Sequence, residues 1–270
     1  KRDWSSDVCS SDLAVFSVFS RLPDDQFLSW GWRVPFLLSG LLVAVGLLIR
    51  LRLVETPAFT QIKKEAREAR QPIVEVLRHH WREVLVAVGA RTAENGAFYV
   101  YSVFVLVYAT QHAHLDRQVV LGGVLLGSAI DLMVIPLYGA LSDRVGRRPV
   151  YLFGAIMTAV LAYPLFWLID TRSTPLVWLG LSLSFAFGHA AMYGPQAAFF
   201  AELFGTRVRY TGASLGSQLA SVLAGGLAPF IATTLLTSYG RGAVALYVVV
   251  LAVITIVAVS AAAETRRKIL

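Results

Sequence analysis

The chain has 270 residues, of which 56% are hydrophobic and only 15% charged, with a net charge of +7. A soluble domain carries about 25% charged residues, so the composition excludes an ordinary soluble fold and indicates an integral membrane protein. The basic residues sit in connections between apolar runs rather than on one module, so no nucleic-acid partner is expected.

In chain order, Asp3 to Leu13 reads Asp-Trp-Ser-Ser-Asp-Val-Cys-Ser-Ser-Asp-Leu. It matches no targeting pattern and resembles the conceptual translation of a sequencing-adapter oligonucleotide; the alternative is a polar N-terminal tail. Setting residues 1–13 aside removes Cys9, the one cysteine, so no disulfide, thiol chemistry or cysteine metal site is expected. The gene product is expected to continue upstream, which makes this a C-terminal fragment.

Crossing a hydrocarbon core of roughly 30 Å takes about 20 apolar residues. Residues 14–20 look like the tail of one span, and seven further runs qualify, at 34–54, 84–109, 119–141, 150–169, 176–200, 212–236 and 243–263. The connections alternate in charge. One set holds five basic residues (Arg21, Arg33, Arg117, Arg172 and Arg241), the other holds sixteen of the 24, and Lys1, Arg2 and Arg91 belong to neither. Positive residues stay inside, so the 55–82 loop, the 142–149 hinge, the 202–211 loop and the 264–270 tail are expected to be cytoplasmic. Within 55–82, the run Gln61 to Arg70 has mixed charge at helical spacing. It reads as a short surface helix, either a solvated linker or a contact for anionic lipid heads. The loop separates residues 14–54 from a block of six spans at 83–263. Glu55-Thr56 and Glu264-Thr265 close two spans alike, as two parallel six-helix repeats would.

Gly139 to Pro149 reads as a tight hinge. Gly139 and Gly146 allow a close turn, Pro149 suits the first turn of a following helix, and Asp143, Arg144, Arg147 and Arg148 crowd its few residues.

Ionisable residues inside spans are costly and mark function by default. Here they are Arg91, Glu94, Asp131 and His189. Glu94 lies 11 residues from Glu83, Asp131 12 from Asp143 and His189 13 from Glu202. At 1.5 Å per residue these are depths of roughly 16, 18 and 20 Å, near the midplane. Arg91 and Glu94 share a helix face. They are either a mutually neutralising pair, or a guanidinium for a substrate carboxylate beside a proton-exchanging acid. Asp131 has no partner in its own sequence neighbourhood. It is either a protonated proton carrier or an aspartate capped by hydroxyls or water. His189 with Tyr193 and Gln196 forms a polar stripe that suits a cavity wall, against a lone satisfied histidine. Asn95, Tyr99 and Gln218 could bind substrate or join helices. Gly212, Ser214, Gly216, Ser217 and Ser221 read as packing residues. No H-E-x-x-H, G-x-S-x-G or phosphate-binding glycine loop is present, so neither an enzyme nor a resident metal or cofactor is expected.

Residues 139–149 resemble the loop signature G-x-L-[SA]-D-R-x-G-R-[RK] of the major facilitator superfamily, found between its helices eight and nine. Gly31-Trp-Arg-Val-Pro-Phe36 and Glu55-Thr-Pro57 are similar to the sixth helix of its metabolite:proton symporter family. Glu202 to Gly212 resembles the loop between helices ten and eleven, with Gly205 where the wider pattern often has proline. The resemblance covers roughly 14–270. It implies an all-α membrane fold, with a C-terminal six-helix bundle, the sixth helix and a stub of the fifth. It implies proton-coupled symport of a small organic acid or zwitterion by alternating access in the bacterial inner membrane. The partners would then be substrate, protons, the lipid bilayer and the absent N-terminal half. A sugar or drug carrier of the same superfamily, or a non-transporting sensor or scaffold, remain the alternatives. The resemblance also implies that Asp143 contacts a neighbouring helix terminus, while Arg147 and Arg148 hold the inner surface together in one state.

Overall fold

A computed structural model of the chain describes residues 23, 26–52, 72–204 and 208–262. The adapter-like start, the 14–20 stub, the charged run 61–70, Gly205 to Arg207 and the C-terminal tail lie outside the described residues. Every element among the described residues is helical.

Two units are distinct, residues 1–68 and 69–270. The first contains a π-helical turn, Phe27–Gly31, and α1, Arg33–Arg52. Most of α1's described side chains are exposed, Phe36, Leu37, Val43 and Leu51 among them. A helix apolar all round suits lipid or another bundle rather than water.

The second unit opens with α2, Pro72–His79, inside what was expected to be loop 55–82. Pro72 can start a helix at no hydrogen-bonding loss, and Val76 is fully buried, so packing against the bundle fixes this turn. Six rods follow. The first joins α3 (Trp81–Tyr99), a π turn (Val100–Phe104) and α4 (Val105–Gln111). The second is α5, Arg117–Val145, started by Asp116, whose carboxylate accepts the Gln118 N–H at 2.6 Å. The third is α6, Arg147–Asp170. The fourth joins α7 (Thr174–Leu183), a π turn (Ser184–His189) and α8 (Ala190–Leu203). The fifth joins α9 (Arg209–Ala220), a π turn (Ser221–Gly226) and α10 (Ala228–Tyr239). The sixth is α11, Arg241–Ala261.

Among the described residues six helical stretches are long and apolar enough to cross a membrane, Ser29–Ile49 and the rods from 117 onward. The expected span 84–109 runs on as the rod 81–111, yet it is not among the six. Arg91, Glu94 and Asn95 within it lower its apolar character. Its Ala87, Ala90, Ala93 and Ala97 are buried, so backbones can approach closely along one face, as small residues permit. There α11 and α9 pack on α3, while α6 lies between α11 and α8 and α8 also touches α5. Tyr151, Met192, Phe199 and Val259 fill the space between them. Of the small residues on the fifth rod, Gly216 is buried against Ala87, whereas Ser214 is exposed.

The hinge is tighter than its sequence suggests. α5 continues through Gly139, Asp143 and Arg144 to Val145, and α6 starts at Arg147. The whole reversal falls on Gly146, at φ 123° and ψ 153°, a backbone conformation open to glycine and strained for any side chain. Gly139 serves packing instead: with Gly194 of α8 it lets two backbones approach until a Cβ on residue 194 would lie 2.9 Å from the Gly139 nitrogen.

Candidate functional site

The ionisable residues of three rods meet inside the six-helix unit. Glu94 of α3, Asp131 of α5 and His189 at the end of a π turn are 3%, 6% and 6% exposed, so this unit alone shields them. His189 Nδ1 lies 2.9 Å from Asp131 Oδ2. Its Nε2 lies 3.3 Å from Glu94 Oε1. Gln196 Nε2 donates to Glu94 Oε2 at 3.1 Å, and Arg91 Nε stands 3.7 Å from the same oxygen. The series Arg91–Glu94–His189–Asp131 therefore links α3, the fourth rod and α5.

Three sequence expectations change here. Asp131 does have a partner, one that no local sequence could supply, because His189 lies 58 positions away. His189 is not a lone histidine; it bridges two carboxylates. Arg91 and Glu94 are not a closed pair, since Glu94 also accepts from Gln196.

The imidazole is held by rings as well. Tyr193 stacks on it with centroids 5.2 Å apart at 24°, and Phe98 packs at 4.9 Å. Phe98 was not singled out from sequence, because an aromatic in an apolar run carries no distinguishing signal. The π turn helps to set the ring's direction, since one extra residue in the turn shifts the register of side chains beyond it.

Asn95 is buried, but its Oδ1 has no hydrogen-bond partner. It packs against Gly225, where a Cβ would come within 1.8 Å of that oxygen. Tyr99 meets Phe98 edge-on at 5.9 Å. Gln218 is exposed. Next to Glu94, Thr255 of α11 accepts from the Ala93 N–H at 2.9 Å and donates to the Gly89 carbonyl at 2.8 Å. These are the two groups an α-helix would join to each other. Among the described residues no group of three or more His, Cys, Asp or Glu side chains could hold a metal ion.

A second cluster sits at the hinge. Arg147 pairs with Asp143 across Gly146 and donates to Ser142 Oγ at 2.7 Å. It also meets Glu202, near the end of α8, at 3.3 Å. Arg148 donates to the Ser260 carbonyl near the end of α11. Arg144 is exposed. Four helix ends, those of α5, α6, α8 and α11, are thereby tied together. Ser142 and Glu202 were not named as candidates, although both lie within motifs read from the sequence. At the opposite end of the bundle, Asp170 pairs with Arg241 and accepts from the Tyr108 hydroxyl at 2.6 Å.

Residues 26–229 and 131–268 match the family described as Major Facilitator Superfamily. The chain is 36% identical over 258 residues to an inner membrane metabolite transport protein of Escherichia coli, covering 92% of this chain and 57% of that protein. It is 37% identical over 220 residues to the shikimate transporter of Escherichia coli, covering 80% and 50% respectively. It is 34% identical over 258 residues to a proline/betaine transporter of Salmonella typhimurium, covering 91% and 51%. The chain thus spans about half the length of the curated relatives it matches. No solved structure matches it.

Proposed function

The chain belongs to the major facilitator superfamily, and from that premise we propose that it forms the C-terminal part of a proton-coupled secondary carrier. Its substrate is a small organic acid or zwitterion, and it works by alternating access in the bacterial inner membrane. Residues 14–54 then supply the end of helix five and helix six, and 83–263 supply helices seven to twelve. The preceding half of the same protein completes the cavity. Loops 55–82, 142–149 and 202–211 and the C-terminus face the cytoplasm.

The observation that carries the reading is the series Arg91–Glu94–His189–Asp131, buried but for the half-buried Arg91. Burying three ionisable groups costs several kcal/mol even when they are paired, and a merely structural core is served better by apolar residues. Groups that exchange protons or hold a charged ligand are a reason to keep them. Arg91 is the least buried of the four, and its planar guanidinium suits a carboxylate. Asn95, Tyr193 and Gln196 complete the polar lining. The names of two relatives, a shikimate transporter and a proline/betaine transporter, support a carboxylate-bearing substrate. At the hinge, Gly139, Asp143, Arg144, Gly146, Arg147 and Arg148 form a clasp that is closed in one state and opens as the halves rock.

Uptake of labelled carboxylates and betaines into vesicles bearing the full-length protein tests this, with and without an inward proton gradient. Gradient-driven accumulation is expected. Accumulation indifferent to the gradient would defeat symport, and no uptake of any such compound would defeat the substrate class.

A further inference from the structure

We infer that His189 is the group that carries the transported proton, and that its Nε2 bond to Glu94, one of two ties from the fourth rod to that carboxylate of α3, holds only while that proton is bound. The inference rests on the symport reading above and assigns the proton to one side chain.

The argument is a count of hydrogens. An ionised carboxylate only accepts, and a neutral imidazole has one N–H and one lone pair. Asp131 and Glu94 face opposite nitrogens of His189, at 2.9 and 3.3 Å. Two such contacts need two hydrogens among the three groups. Either an imidazolium lies between two carboxylates, or a neutral ring lies beside one carboxylic acid. Remove one proton and one contact becomes acceptor against acceptor, between side chains that are almost fully buried and so costly to leave unmatched.

Which contact opens is set by what each carboxylate keeps. Asp131 has no substitute: its Oδ1 has no partner, and His189 serves its Oδ2. Glu94 still has Gln196 at 3.1 Å and Arg91 at 3.7 Å, and its contact with the ring is the longer one. Proton loss therefore leaves Nδ1–H on Asp131 and empties Nε2, which releases Glu94. In the reverse step a proton binds the Nε2 lone pair and the N–H···O bond to Glu94 forms again. The other ionisable groups around the ring are Arg91 of α3, Tyr193 of α8 and Tyr151 of α6, whose hydroxyl donates to the Ala90 carbonyl at 3.1 Å. Tyr101 lies one ring further out, beside Phe185. Arginine and tyrosine side chains do not ordinarily exchange protons between about pH 5 and 8, whereas histidine does.

The test uses the full-length protein in vesicles with a trapped pH indicator, comparing protons taken up per substrate molecule in wild type and His189→Asn. Asparagine keeps one donor and one acceptor but carries no proton. Proton uptake at background level is expected, with substrate counterflow slower but measurable. An unchanged ratio overturns the inference, and so does a folded variant that has lost counterflow, because His189 would then be a substrate ligand. A wild type that moves substrate without protons overturns the symport reading and this inference together. If the variant does not fold, ¹⁵N spectra of wild-type histidine decide. Both ring nitrogens should be protonated at acidic pH, and as the pH rises Nε2 alone should lose its proton while Nδ1 keeps its own on Asp131. A ring that stays neutral throughout overturns the assignment.

Discussion

Glu94→Gln has a consequence that follows from acceptor geometry. The carboxylate accepts at both oxygens, from His189 on Oε1 and Gln196 on Oε2. Glutamine has the same shape but one acceptor, so its amide nitrogen must face an N–H. His189 cannot turn to suit it, because Nδ1 is engaged with Asp131. Gln196 can, by exchanging its amide oxygen and nitrogen. The variant thus keeps both contacts but turns charge-assisted bonds, each about 1.5–3 kcal/mol, into weaker ones of about 0.5–1.5 kcal/mol. Two bonds weakened by about 1 to 1.5 kcal/mol give a loss of about 2–3 kcal/mol. Glu94→Ala, which leaves the partners unmatched, should approach the about 3–5 kcal/mol of a broken buried pair. The exchange Glu94→Gln with Gln196→Glu restores a charged bond across the same contact and should recover at least half of the single-variant loss. Thermal unfolding of the full-length protein in lipid nanodiscs measures all three. Wild-type stability in Glu94→Gln, or strict additivity in the double exchange, would refute the hydrogen-bond assignment.

Arg91→Lys should weaken apparent substrate affinity about tenfold, since an ammonium lacks the planar fork; the concentration dependence of uptake reads this, and unchanged affinity removes Arg91 from the site. Thr255→Val should cost only about 1 kcal/mol, because Gly89 and Ala93 can then bond to each other; a loss above about 3 kcal/mol in thermal unfolding would contradict that repair. Glu202→Gln leaves Arg147 with Asp143 and Ser142 and should loosen the hinge by about 1 kcal/mol. Hydrogen–deuterium exchange across 142–150 should rise severalfold, and an unaltered exchange rate would show that Glu202 does not hold it.

Much of the site was legible because depth along a helix is linear in residue number. Glu94, Asp131 and His189 were measured from three different helix ends, and no π turn interrupts any of those three stretches. The three side chains meet. Their partnership was not legible, because which face of α3 looks at which face of α8 depends on packing between rods. Ala87, Ala90 and Gly216 contribute to that packing only through their small size. Thr255 shows the same limit: a single hydroxyl in an apolar run gives no sign that its acceptor lies on another helix. At the hinge, spacing exposed the motif but misjudged the geometry. Gly139 looked like a turn residue, yet only Gly146 leaves helical φ and ψ. The helix at Pro72–His79 was missed because eight residues give too short a periodic signal, and the buried Val76 becomes informative only once its neighbours are present.

The three π turns within the rods, Val100–Phe104, Ser184–His189 and Ser221–Gly226, fall in three different rods, near the middle of the fourth and fifth and beyond the middle of the first. At each, the backbone ladder changes step, so stiffness against bending is interrupted there. The first, fourth and fifth rods are therefore each jointed at a π turn, whereas α5 and α6 are interrupted instead by a proline, Pro136 and Pro164, which removes one ladder bond. Compliance is thus concentrated at a few joints, and His189 occupies the end of one of them. A side chain set there is moved by small flexing of its own helix, with no need for the whole rod to travel.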